Sequence, residues 1–107
     1  MTDSNKFGLP AGTIQKLKTT FESEPQIHKV IIYGSRAKGN YRKGSDIDLT
    51  IMAPDFNLTD LNRIDNKIDD LLLPYMVDLS LYHYIQNPDL IDHIKRIGIE
   101  FYKKENT

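Results

Sequence analysis

The chain has no cysteine, which excludes disulfides and thiolate metal sites and leaves its redox compartment open. It has no surplus of either charge: 14 Lys and Arg face 15 Asp and Glu, a net charge of −1. That balance argues against a broadly basic surface wrapping nucleic acid, so no direct nucleic-acid binding is expected. No apolar run approaches the ~20 residues of a membrane span. The first residues, Met1 to Lys6, lack the apolar core of a signal peptide, so a cytoplasmic protein is expected. Internal repeats and linkers are also missing. What remains is a 107-residue chain, 39% hydrophobic and 27% charged, with room for one domain and one modest core. The ends, residues 1–8 and 103–107, are expected to be flexible.

Apolar residues Ile14, Leu17 and Phe21 recur at helical spacing and predict a helix from about Pro10 to Ser23, stopped by Glu24-Pro25. Ile27 to Tyr33 is β-branched and nearly unbroken, the pattern of a central buried strand. A single helical turn is expected over Ser35 to Lys38, then a loop marked by Gly39, Asn40 and Gly44. Asp46 to Met52 alternates cleanly, with Ile47, Leu49 and Ile51 on one side and Asp46, Asp48 and Thr50 on the other. Asn57 or Thr59 caps a helix striped by Leu61, Ile64, Ile68, Leu71 and Leu72. Met76 to Tyr82 repeats the alternation, with Asp78 and Ser80 on the polar side. Asn87-Pro88 starts a last helix that ends at Gly98, and Ile99 to Tyr102 is long enough for a short edge strand. The layout is α+β: a small mixed sheet with helices on one face and the aspartate side open.

Chemistry concentrates between Tyr33 and Leu49. Gly34 permits a tight turn and a close approach to a ligand, and the amides after it can face an anion. Asp46 and Asp48 leave one side of a strand about 6.5–7 Å apart at the backbone. Asp78 can join them if the two strands are neighbours. Three clustered carboxylates repel one another and raise at least one pKa unless a hard cation such as Mg²⁺ intervenes. A lone Asp-x-Asp on a strand is ordinarily just solvated, but aspartate is a poor strand former, and three of them behind a Gly-Ser turn need a reason. Two near-matches fail. Gly34 and Gly39 have P-loop spacing, yet Asn40-Tyr41 stands where Lys-Ser/Thr is required. Asp46-x-Asp48 could open an EF-hand loop, but Ile51 takes the glycine position and no glutamate closes it.

Gly34-Ser35, Gly39, Ser45-Asp46-Ile47-Asp48-Leu49 and Asp78 on a following strand together resemble the nucleotidyltransferase superfamily that includes DNA polymerase β and kanamycin nucleotidyltransferase. In size, and in the form Gly-Ser-Arg-Ala-Lys-Gly, the chain is most similar to the minimal nucleotidyltransferases (MNT proteins), antitoxins typically encoded beside a HEPN-domain toxin. The resemblance implies a palm-like fold and an intact active site. Asp46 and Asp48 would ligate two Mg²⁺ ions, with Mn²⁺ as a substitute, and Asp78 would complete one shell and take the proton of the attacking hydroxyl. Ser35, with the amide of Gly34 or its neighbours, would hold the β- and γ-phosphates, with Arg36 and Ser45 as further nucleotide contacts. It further implies ATP as substrate and AMP transfer to a tyrosine of a HEPN partner in a hetero-oligomer. The alternative is a non-catalytic antitoxin that masks its partner.

The remaining candidates are weaker. Lys38, Arg42 and Lys43 could meet phosphate, though solubility explains them as well. Sheet, helices and site use nearly the whole chain, so an acceptor must dock from outside; Tyr82, Tyr84, Phe101 and Tyr102 are candidate docking residues, core packing being the ordinary account of at least half. His28, His83 and His93 lack metal-ligand spacing and are expected at the surface or in caps. Asp69-Asp70 belongs to a solvated helix face.

Overall fold

A computed structural model describes residues 6–105. Four strands, β1 (Lys29–Tyr33), β2 (Ile47–Met52), β3 (Val77–Leu81) and β4 (Ile99–Lys103), form one sheet in the order β3-β2-β1-β4. β1 runs antiparallel to both β2 and β4, while β2 and β3 are parallel. A parallel pair needs a crossover, which the helix α3 (Leu58–Asp69) supplies. β1 is central and β4 is an edge, as their apolar patterns predict.

One face of the sheet carries Val30, Ile32, Ile47, Leu49, Ile51 and Leu81, all essentially inaccessible to water. Against it lie α3 and α1 (Ala11–Glu22), which contribute Leu17, Phe21, Ile64 and Ile68. Each such side chain contributes roughly 1.5–3 kcal/mol on leaving water. The start of α3 is fixed by a reciprocal cap: Asn57 accepts from the Asp60 amide at 3.1 Å, and Asp60 accepts from the Asn57 amide at 2.9 Å. At the far end of α1, Glu24 is buried and receives Arg63 at 2.7 Å and Lys67 at 2.6 Å, clamping α1 to α3.

Four expectations need correction. Lys6–Gly8 forms a short turn whose Phe7 and Gly8 carbonyls are hydrogen-bonded, and Leu9 is fully buried, so order begins before residue 8. At the other end, Lys103 closes β4 and the Lys104 amide donates to the His28 carbonyl at 2.9 Å; residues 1–5 and 106–107 lie outside the described residues. The stripe of α3 stops at Asp69, and Leu72, at φ 55° and 86% exposed, turns outward. Phe101 is core and Tyr102 packs against Phe21, in line with the core-packing account of half the proposed docking set, which leaves Tyr84 as its openly exposed member.

The fourth concerns the aspartate face. Helix α4 (Pro88–Ile97) does not join α1 and α3. Its His93 ring meets Tyr33 edge-on, and a side chain at Gly98 would run into Ile31. Ile31 and Tyr33 alternate with the core residues Val30 and Ile32, so α4 lies across the polar face at the β1 side. Its apolar stripe has no room beneath a core face already filled by two helices.

Candidate active site

Register brings the candidate residues together. Asp48 pairs with Asp78 across the parallel β2–β3 ladder and with Tyr33 across the antiparallel β1–β2 ladder. All three side chains therefore share the polar face, on strands about 4.8 Å apart. Asp46 precedes β2 by one residue, rather than starting the strand, and is exposed. One layer below, the Ser80 hydroxyl donates to the buried Thr50 hydroxyl at 2.9 Å, fixing the spacing of β2 and β3 under the carboxylates.

The electrostatics follow from this crowding. Burial first, then the charges of Asp78 and Asp46, push the Asp48 carboxyl above its ordinary 3.8, with His93 opposing. Burial also raises the Tyr33 phenol; a Ser80 hydrogen bond works against this, while Asp78 and Asp48 add to it. Among the described residues, none of the three carboxylates has a salt-bridge partner. Among them, too, no group of three or more His, Cys, Asp or Glu side chains is gathered closely enough to hold a metal ion, so Asp48 and Asp78 stand as a pair with Asp46 apart at the strand's entry. The donor set is thus an open, all-oxygen face with uncompensated charge, and this chemistry fits a hard cation that keeps part of its hydration.

Gly34 stands at the end of β1 with φ 73° and ψ −155°, a backbone region essentially reserved for glycine. A Cβ here would collide with the Asp48 carboxylate. The glycine thus lets the turn lie directly against the acidic strand. The expected single turn, α2 (Ser35–Lys38), follows it, and the Gly39 amide closes it onto the Ser35 carbonyl at 2.9 Å. Ser35 is half-buried at this bend. The Gly34 amide itself does not face an anion. It donates to Nε2 of His93 at 3.2 Å.

Arg36 and Ser45 have structural partners of their own. Arg36 is only 3% exposed. Its guanidinium donates to the Ser45 carbonyl at 2.8 and 3.1 Å, to Phe7 at 3.0 Å and to Gly8 at 3.3 Å. Tyr41 and Tyr75 lie 5.4 and 5.2 Å from it. A planar cation with this many donors satisfied by backbone is a pin joining the N-terminal turn, α2 and the loop before Asp46, not a phosphate ligand. Ser45 complements it. The serine hydroxyl accepts from the Arg42 amide at 2.8 Å and shapes that loop. Lys38, Arg42 and Lys43 are exposed around it.

The surface or capping role expected of His93 does not hold, since its ring is engaged by Tyr33 and Gly34. A histidine within an apolar helical stripe gives no local signal, because its partners, Tyr33 and Gly34, are some sixty residues away in the chain. His83 fits the expected minor role, with Nε2 3.0 Å from the Phe56 carbonyl.

Residues 15–107 match the family described as Polymerase beta, Nucleotidyltransferase. The chain belongs to this nucleotidyltransferase family. It is 26% identical, over its whole length and 94% of the relative's, to a probable protein adenylyltransferase, MntA, of Haemophilus influenzae. Among solved structures it superposes on a chain of a toxin–antitoxin complex with AMP-PNP at a TM-score of 0.69, with 19% identity over 86% of this chain and 74% of that one. It also superposes on a chain of the complex between tri-AMPylated Shewanella oneidensis HEPN toxin and MNT antitoxin, at a TM-score of 0.64 and 17% identity, covering 88% and 72%. At such identities these two likenesses establish the fold. No helix among the described residues is long and apolar enough to cross a membrane.

Proposed function

We propose that the chain transfers AMP from ATP to a hydroxyl of a protein partner, most simply a tyrosine of a HEPN toxin, and so acts as its antitoxin. The observation that carries this reading is the pairing of Asp48 with Asp78 on an open face, with the Gly34–Ser35 turn pressed against Asp48. The relatives' descriptions as adenylyltransferase and as MNT antitoxin support the choice of AMP and of a HEPN partner.

In this scheme Asp46, Asp48 and Asp78 hold Mg²⁺, which when bound neutralises the triphosphate. Ser35 and the amides that follow Gly34 orient the β- and γ-phosphates. Asp78, at the open edge of the pair, accepts the proton of the attacking hydroxyl. The new bond joins that oxygen to the α-phosphorus, the bond from the α-phosphorus to the bridging oxygen breaks in line, and pyrophosphate leaves. AMP on a tyrosine adds negative charge to the partner and covers the surface around it.

The test is incubation of the chain with labelled ATP, Mg²⁺ and the HEPN protein encoded beside it, followed by mass spectrometry of the partner. A mass gain of AMP on a tyrosine is expected, and Asp48→Asn should abolish it while leaving the fold intact. Protection of the partner by Asp48→Asn as fully as by the unaltered chain would favour masking over transfer.

A further inference from the structure

The Gly34 amide is the first backbone donor after β1, and it is taken up by a side chain of helix α4. We infer that His93 is a positioning residue for the nucleotide turn, an assignment resting on the reading above that this turn receives ATP. Three contacts locate it. Nε2 of His93 stands 3.2 Å from the Gly34 N–H that donates to it. The face of the ring is set by Tyr33, edge-on with centroids 6.1 Å apart. Gly34 also abuts the Asp48 carboxylate so closely that no Cβ fits between them.

Gly34 is thereby held by two neighbours, the imidazole that takes its amide proton and the acidic strand that its Cα abuts. A glycine at positive φ has wide conformational freedom and does not keep one geometry unaided. The hydrogen bond to His93 removes that freedom, fixing the turn that carries Ser35 at one distance from Asp48. Helix α4 is suited to presenting the ring rigidly. Asn87 caps its start by accepting from the Asp89 and Leu90 amides, Pro88 occupies the first turn, and Ile94 is buried beside His93. Pre-ordering a ligand-binding turn improves affinity by removing an ordering cost that binding would otherwise bear.

The experiment compares His93→Leu with His93→Gln, whose amide oxygen can replace Nε2 as acceptor. The probe is AMP-PNP with Mg²⁺, titrated calorimetrically, and Gly34 amide exchange is followed by NMR. His93→Leu should weaken AMP-PNP binding about fivefold, the worth of one net hydrogen bond, and release the Gly34 amide to exchange. His93→Gln should restore both. Ile94→Val, which thins the packing of α4 without touching the bond, should leave binding unchanged. The inference is overturned if His93→Leu binds AMP-PNP as tightly as the unaltered chain, if Gln fails to rescue, or if Ile94→Val weakens binding equally. Should the unaltered chain bind no AMP-PNP, the nucleotide reading fails on its own, and Gly34 exchange decides: faster exchange in His93→Leu sustains the clamp, and unchanged exchange removes it.

Discussion

At the scale of single residues, the position that changes most between sequence and structure is Arg36. An arginine one residue after a Gly-Ser turn invites a phosphate contact, yet its donors are consumed by three backbone carbonyls between two tyrosine rings. Lysine has the charge but not the fork, so Arg36→Lys would leave buried carbonyls without donors. We expect that substitution to cost about 2–3 kcal/mol of stability, read as a lower urea midpoint at constant m-value. A variant as stable as the parent would return Arg36 to a phosphate-binding role. Gly34 was legible as a tight turn, but not the reason for it: the carboxylate it must clear lies on the next strand.

Secondary-structure elements were the most legible level. Period-2 alternation in β2 and β3, the Asn57 cap, the Asn87-Pro88 start and the Ser35–Lys38 turn are all local properties, and all emerge close to where the sequence puts them. How elements attach to one another was not. Glu24 ends α1 next to a proline and looks like a terminator, whereas it also anchors α1 to α3 through Arg63 and Lys67. Burial alone would raise its carboxyl, but the hydrogen bonds and charges of Arg63 and Lys67 outweigh this and hold it below 4.5. A depressed folded pKa means that the unfolded chain binds the proton more readily. The clamp's stability is therefore present above the unfolded pKa and lost as pH falls through the folded one. Glu24→Gln should lower stability by about 1 kcal/mol at pH 7, since both cations are partly exposed. The gap from the parent should close in urea melts carried well below pH 4.5; a gap independent of pH would mean that Glu24 acts by packing alone.

For the molecule as a whole, the decisive event is the parallel pairing of β2 with β3, which sets Asp78 beside Asp48. That juxtaposition has a thermodynamic signature without any substrate. Since burial and the neighbouring charges raise the folded Asp48 pKa above 3.8, the folded chain holds this proton more tightly than the unfolded one. Stability then declines as pH rises through the carboxylate range. Asp48→Asn should consequently raise the melting temperature of the metal-free protein at pH 7. Adding Mg²⁺ should stabilise the parent and narrow the difference, by preferential binding to the folded state. Scanning calorimetry with and without Mg²⁺ checks both, and a destabilised Asp48→Asn would show that the carboxylates are not in conflict.

The order of elements, the polarity of each strand face and the positions of the acidic residues on it were set by the sequence alone, because alternation, capping and turn formation act within a few residues. Tertiary structure decided which helix covers the polar face, where the Arg36 guanidinium is spent and which ring receives the Gly34 amide. Those contacts join residues from nine positions apart, Arg36 to Ser45, to some sixty or more, His93 to Tyr33 and Gly98 to Ile31, and only the packed sheet brings such partners within reach.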